Sequence, residues 1–121
     1  MVDGLTEQII GAAIEVHRIL GPGLLESVYE EGLCHELSLR GVLFGRQAEV
    51  TVRYKGKAIA GQRIDLLVGA DVIVELKSQR NLPEVAAAQV LSYLKAAGLK
   101  RGLLINFGEQ KLVDGVKRFS L

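Results

Sequence analysis

Apolar residues recur at helical spacing twice near the start of the chain. Between Thr6 and Leu20, the positions Ile9, Ile10, Ala13, Val16, His17 and Leu20 form an i, i+3, i+4 stripe, which predicts an amphipathic helix capped by Asp3 or Thr6. Gly21-Pro22-Gly23 ends it, and Leu24, Leu25, Val28, Leu33 and Leu37 predict a second helix that runs to about Arg40 and stops at Gly41. The period then changes. Glu49-Val50-Thr51-Val52-Arg53-Tyr54 alternates as a half-buried strand, and Lys55-Gly56-Lys57 interrupts it as a turn. Ile64 to Val68 and Val72 to Lys77 are two further β-rich runs separated by Gly69-Ala70-Asp71, so the three strands predict a meander. Pro83 suits a first helical turn, Val85 to Ala97 is rich in Ala and Leu, and Gly98 closes this third helix. Gly102 to Phe107 has the near-continuous apolar character of a central strand, and a short last strand is expected over Val116 to Leu121. The order α-α-β-β-β-α-β-β, without an internal repeat, predicts an α/β fold with a single mixed sheet flanked by helices.

Composition narrows the class. A length of 121 residues fits one domain, 1–121, at ~100 to 200 residues per domain, and 49% hydrophobic with 24% charged residues excludes disordered and collagenous chains. No apolar run reaches the ~18 residues of a membrane span, and Met1-Val2-Asp3-Gly4 lacks the basic flank of a signal peptide, so a soluble, cytoplasmic protein without membrane contact is expected. One cysteine, Cys34, and two histidines exclude a multi-thiolate zinc site, so any metal would be held mainly by oxygens. Cys34 reads as a small core residue and His17 as a packed or hydrogen-bonded one. A chain this short and apolar leaves greasy surface, from which a homodimer is expected.

The net charge of +1 conceals a gradient. Residues 1–45 carry seven acids against Arg18 and Arg40, a net of −5, while residues 46–121 carry thirteen basic residues against seven acids, a net of +6. Such asymmetry fits either a polyanion-facing surface or an acidic helical face that pairs with the basic part. Arg46, Arg53, Lys55, Lys57, Arg63 and Arg80 are the candidate phosphate contacts, with a solvated sheet edge as the other reading of them.

The segment that carries chemistry is Asp65 with Glu75-Leu76-Lys77, where charged residues interrupt strands that are otherwise apolar. Residues two apart on a strand share a face, so Glu75 and Lys77 point the same way, with Ile73, while Val72, Val74 and Leu76 take the other face. Two carboxylates on adjacent strands offer oxygen donors to a hard cation such as Mg²⁺, and a neighbouring lysine can orient or activate a metal-bound water. A plain cross-strand Lys-Glu pair at a sheet edge is the alternative. If Asp65 faces Glu75, then Val68 must pair with Val72 across the Gly69-Ala70-Asp71 turn.

These residues resemble a family. Asp65 followed after nine residues by Glu75-x-Lys77, between strands two and three of an αβββαβ core, looks like the PD-(D/E)XK nuclease superfamily, whose restriction-endonuclease-like core would here carry an extra N-terminal helix. Gln89-x-x-x-Tyr93 is similar to the QxxxY signature of the RecB-type and lambda-exonuclease-like branch, and Gly23-Leu24-Leu25-Glu26-Ser27-Val28-Tyr29 resembles the motif that names the GxxExxY proteins. The stretches His17 to Gly23 and Gly102 to Gly108 are similar to signatures of the same family. The resemblance implies a Mg²⁺-dependent nuclease, with Mn²⁺ as a substitute, that hydrolyses phosphodiester bonds in DNA. It implies Asp65 and Glu75 as metal carboxylates, the Leu76 backbone carbonyl as a further ligand, and Lys77 as the residue that positions the attacking water. Glu26 would be a helical acid that reaches the metal directly or through water. Gln89 would steady the site or touch the substrate strand, and Tyr93 and Tyr29 would support it, though a tyrosine on a helix facing a sheet also fits the core with its hydroxyl at the rim. The alternative function is a catalytically silent nuclease-fold protein that binds nucleic acid or a partner protein.

Overall fold

A computed structural model of the chain describes residues 4–121. Two helices, α1 (Gly4–Leu20) and α2 (Glu26–Leu39), precede three strands, β1 (Phe44–Tyr54), β2 (Lys57–Val68) and β3 (Val72–Lys77). Helix α3 (Val85–Ala97) crosses to β4 (Arg101–Asn106), and a 3-10 turn at Leu112–Gly115 leads into β5 (Val116–Ser120). The sheet order is β1-β2-β3-β4-β5, antiparallel except for the parallel pair β3 and β4 that α3 connects. This is the mixed sheet flanked by helices that the pattern predicts.

The sheet separates two apolar layers. Ile9, Ala13, Val16, Leu33 and Leu37 of α1 and α2 pack on Leu66, Val68, Val72, Val74, Leu76, Leu103 and Ile105. On the other face Ala86, Val90, Tyr93 and Leu94 of α3 pack on Val50, Ile64, Ile73 and Leu104. The central strands β3 and β4 are covered on both sides, which is why they read as continuous apolar runs. Each fully buried Leu, Ile or Val there contributes roughly 1.5–3 kcal/mol, so a carboxylate in the same strand needs partners to be tolerated. Helix α3 ends as its sequence says. Gly98 adopts φ 69 and its N–H closes on the Leu94 and Lys95 carbonyls, a left-handed cap that suits glycine.

Several boundaries differ from the pattern. Helix α1 begins at Gly4, so Thr6 lies inside it and is not its cap, while Asp3 lies outside the described residues. Strand β1 starts at Phe44, and β2 runs back to Lys57 through a stretch that shows no strand signal. Every residue from 51 to 63 is exposed, and alternation is visible only where one face is buried.

The long β1–β2 hairpin also changes sides. Phe44, Leu66 and Val68 pack with α1 and α2, whereas Ala48, Val50 and Ile64, which alternation would place beside them, pack with α3. The crossing falls at Gln47, a non-glycine residue with φ 51. The β2–β3 ladder ends at the pair Leu66 and Val74, immediately before Asp65 and Glu75.

Candidate active site

The register Val68 to Val72, Leu67 to Ile73 and Leu66 to Val74 carries Asp65 opposite Glu75, as the Gly69-Ala70-Asp71 turn requires. Where backbone pairing stops, the two side chains take over. The Asp65 N–H donates to Glu75 Oε1 at 2.9 Å, and the Leu76 N–H donates to Asp65 Oδ2 at 2.9 Å. Each carboxylate thus satisfies an amide of the opposite strand, and the strands part around a pair of acids. Glu75 is only 4% exposed. Burial, and then the charge of Asp65, push its carboxyl up to about 8, against the opposing pull of the Asp65 N–H and of Lys77. Like charges this close favour a shared proton or a cation.

Lys77 lies two residues beyond Glu75, half-buried, and lines a cavity of about 590 Å³ with Val52, Gln62, Gln79, Gln89 and Tyr93. In α3, Gln89 and Tyr93 stand one turn apart and meet: Gln89 Nε2 donates to the Tyr93 hydroxyl at 2.9 Å. That hydroxyl donates in turn to Gln62 Oε1 of β2 at 3.0 Å. Burial first, then the charges of Glu75 and Asp65, raise the phenol above its ordinary value, so Tyr93 is a neutral donor at physiological pH. Gln62, with an exposed strand around it, carries no sequence signal of its own.

The helical acid that connects to the pair is not the one expected. Glu26 is exposed on the first turn of α2, and its carboxylate makes no hydrogen bond or ion pair with a described residue. Among the described residues, no three His, Cys, Asp or Glu side chains come close enough together to hold an ion. One turn further on, Glu30 Oε1 accepts from Gln47 Nε2 at 3.0 Å, and the same amide lies 3.5 Å from Asp65 Oδ1. Gln47 lies level with Asp65 in the β1–β2 register, between the pairs Arg46 to Leu66 and Ala48 to Ile64, a placement that only the folded sheet reveals. Arg46, expected among the phosphate contacts, is instead gripped by Glu30 at 2.7 Å and Glu31 at 2.8 Å. To that extent the acidic helical face does pair with the basic part of the chain.

A family model for the PD-(D/E)XK nuclease superfamily matches residues 3–119. The chain belongs to that superfamily. No curated protein and no solved structure shows significant similarity to it. Nucleases of the superfamily generally use divalent metal ions, and membership gives this chain a nuclease-like function with nucleic acid as the partner class. Among the described residues, no helix is long and apolar enough to cross a membrane.

In this PD-(D/E)XK protein the remaining motif residues hold the segment that presents Lys77. The Lys77 carbonyl accepts from the Phe107 N–H at 2.8 Å. Asn106, 1% exposed, accepts from the N–H groups of Gln79 and Gly108, each at 3.0 Å, and donates to the Gln79 carbonyl at 2.9 Å. A side chain at Gly108 would strike that same carbonyl, so only glycine fits there. Tyr29 is fully buried, its ring stacked on Phe107 with centroids 4.4 Å apart. Its hydroxyl donates to the Gly21 carbonyl and accepts from the Leu24 N–H at 3.1 Å. The Leu24 carbonyl in turn accepts from Ser78 Oγ at 2.6 Å. Tyr29 therefore staples the α1–α2 connection to the residue after Lys77, a core role with its hydroxyl committed to backbone. His17 Nε2 lies 2.8 Å from the Glu109 carbonyl, which can only accept, so the ring is a packed donor. Burial pushes the Cys34 thiol up to about 11, which leaves it an unreactive core residue.

Proposed function

We propose that this chain is a metal-dependent nuclease that hydrolyses phosphodiester bonds in DNA, with Mg²⁺ or Mn²⁺ held by Asp65 and Glu75. The observation that carries this is the crossed pair: two carboxylates on parted strands, one of them buried with a carboxyl raised to about 8, with Lys77 on the same face as Glu75. The donor set fits a hard cation, which relieves the repulsion that otherwise keeps a proton on Glu75. When bound, such a cation polarises the phosphodiester and stabilises the charge that develops on it. The Leu76 carbonyl would be a further ligand next to the pair. Lys77, its carbonyl held by the Phe107 N–H and its residue lining the cavity, orients the attacking water. Gln89 and Gln62 hold the Tyr93 hydroxyl at the cavity wall, its one proton directed at Gln62 Oε1, so that it steadies this side of the site. Glu30 takes through Gln47 the place expected of Glu26.

A second reading, a nuclease-fold protein that binds nucleic acid or a protein partner without cutting, is favoured by one observation: among the described residues, only two acids come together. Incubation of labelled DNA with the protein and Mg²⁺ or Mn²⁺ decides. Cleavage that Asp65→Ala and Lys77→Ala each abolish supports the nuclease; divalent binding by calorimetry without turnover on DNA leaves the second reading.

A further inference from the structure

The tip of the β1–β2 hairpin leaves the body of the molecule. Val50 is the last buried residue of β1, and the ladder continues through Val52 to Ile59, Arg53 to Ala58 and Tyr54 to Lys57. It turns on Lys55 and Gly56, with φ 47 and 82, the two-residue geometry whose twist suits a hairpin. Five residues from Val50 to Lys55 at ~3.3 Å each span about 16 Å, of which Thr51 to Arg53 run beside α3 and the turn beyond them has no core of its own. Between Val50 and Ile64 there are four cations, Arg53, Lys55, Lys57 and Arg63, and no acid. Arg53, Lys55 and Lys57 make no ion pair with a described residue, Lys55 lying instead 5.5 Å from the centre of the Tyr54 ring. At its foot, Val52 and Gln62 line the cavity that holds Lys77, and Thr51, Val52 and Arg53 line a second depression with Ser92 and Lys95 of α3.

We propose that this basic ribbon is the element that grips duplex DNA, by entering its major groove with Arg53, Lys55 and Lys57 against phosphates, and so lays the backbone along the path to Lys77. Charge complementarity commits the surface to a polyanion. Its shape commits it to B-form DNA: two strands about 5 Å apart fit a groove ~12 Å wide, whereas the major groove of duplex RNA is too deep and narrow. The proposal rests on the nuclease reading only for the direction of the backbone, since binding by the ribbon needs no metal.

The test is fluorescence anisotropy of a labelled DNA duplex with the full chain in chelator, over a series of salt concentrations, beside the metal-dependent cleavage assay. Replacement of all three cations (Arg53→Gln, Lys55→Gln, Lys57→Gln) should weaken binding tenfold or more. It should also make the slope of log affinity against log salt shallower by about 2–3, at ~0.9 per phosphate contact. The charge-keeping variant Arg53→Lys, Lys55→Arg, Lys57→Arg should bind as the parent does, which separates charge from folding. Unchanged affinity and slope in the neutralised variant overturn the ribbon proposal, and Asp65-dependent cleavage by the parent would then leave the nuclease reading standing. Ribbon-dependent binding by a parent that cleaves nothing supports the ribbon and overturns the nuclease. Equal, equally ribbon-dependent binding of duplex RNA, or a neutralised variant altered only in its sedimentation, overturns the assignment to DNA.

Discussion

Glu75→Gln should make the metal-free protein more stable, by an amount that grows with pH. The carboxyl stands at about 8 in the folded chain against 4.5 for an unperturbed glutamate. Between those values the folded state keeps a proton that the unfolded state has lost, so the unfolded state binds fewer protons and stability falls as pH rises through this window. At 1.36 kcal/mol per pH unit the full effect is about 5 kcal/mol, most of which develops between pH 5 and 8 and about 4 kcal/mol of which is present at pH 8. Glutamine keeps the shape and, through Oε1, the bond from the Asp65 N–H, but it has no charge to desolvate and none to set against Asp65. Thermal melts of parent and variant in chelator should therefore nearly coincide at pH 5. At pH 8 they should differ by roughly 15 °C in favour of the variant, taking ~2.1 cal/mol/K per residue for the unfolding entropy. Saturating Mn²⁺ at pH 8 should raise the parent's melting temperature and leave the variant's unchanged. A variant less stable than the parent by the same amount at every pH would refute the reasoning, because it would mean that Glu75 is an ordinary stabilising acceptor.

Two further outcomes follow from the helix that faces the pair. By calorimetry, Glu30→Gln should weaken Mn²⁺ binding several-fold, while Glu26→Gln should leave it within twofold; the reverse order would restore Glu26 as the helical acid. Tyr29→Phe keeps the stacked ring but leaves the Gly21 carbonyl and the Leu24 N–H without their partner. It should lower stability by about 1–2 kcal/mol in urea denaturation, with metal affinity little changed, whereas a direct role in the site would move the affinity.

The acid pair was legible because strand alternation, one turn of known length and two charges in an apolar context all act locally. Helix α3 was legible for the same reason: Pro83 and Gly98 punctuate it and Gln89 and Tyr93 are one turn apart. Gln47 and Gln62 were not, since each is a polar residue in an exposed strand whose meaning depends on which residue the fold sets opposite. Nor was the far half of β2, where no face is buried and hydrophobic pattern is silent. Tyr29 shows the opposite limit. Its motif points to the site, but whether a helical tyrosine meets substrate or backbone is decided by where its hydroxyl ends, and here that is the Gly21–Leu24 loop.

Three departures from ordinary folding rules lie in one row across the sheet. Gln47 of β1 takes a left-handed φ of 51, which costs a non-glycine residue ~1 kcal/mol; Asp65 of β2 begins where the ladder to β3 ends; Glu75 of β3 is a carboxylate at 4% exposure among Val, Ile and Leu. Each would be a defect alone. Together they place an amide, two carboxylates and a strand opening at one level, and the amides that the opening exposes are answered by the acids themselves. A core selected only for stability would carry an apolar residue at 75 and a continuous ladder, as the next row does at Leu66 and Val74. The arrangement is instead one whose internal repulsion falls when positive charge enters it, so stability and cation binding should move in opposite directions when Glu75 is neutralised.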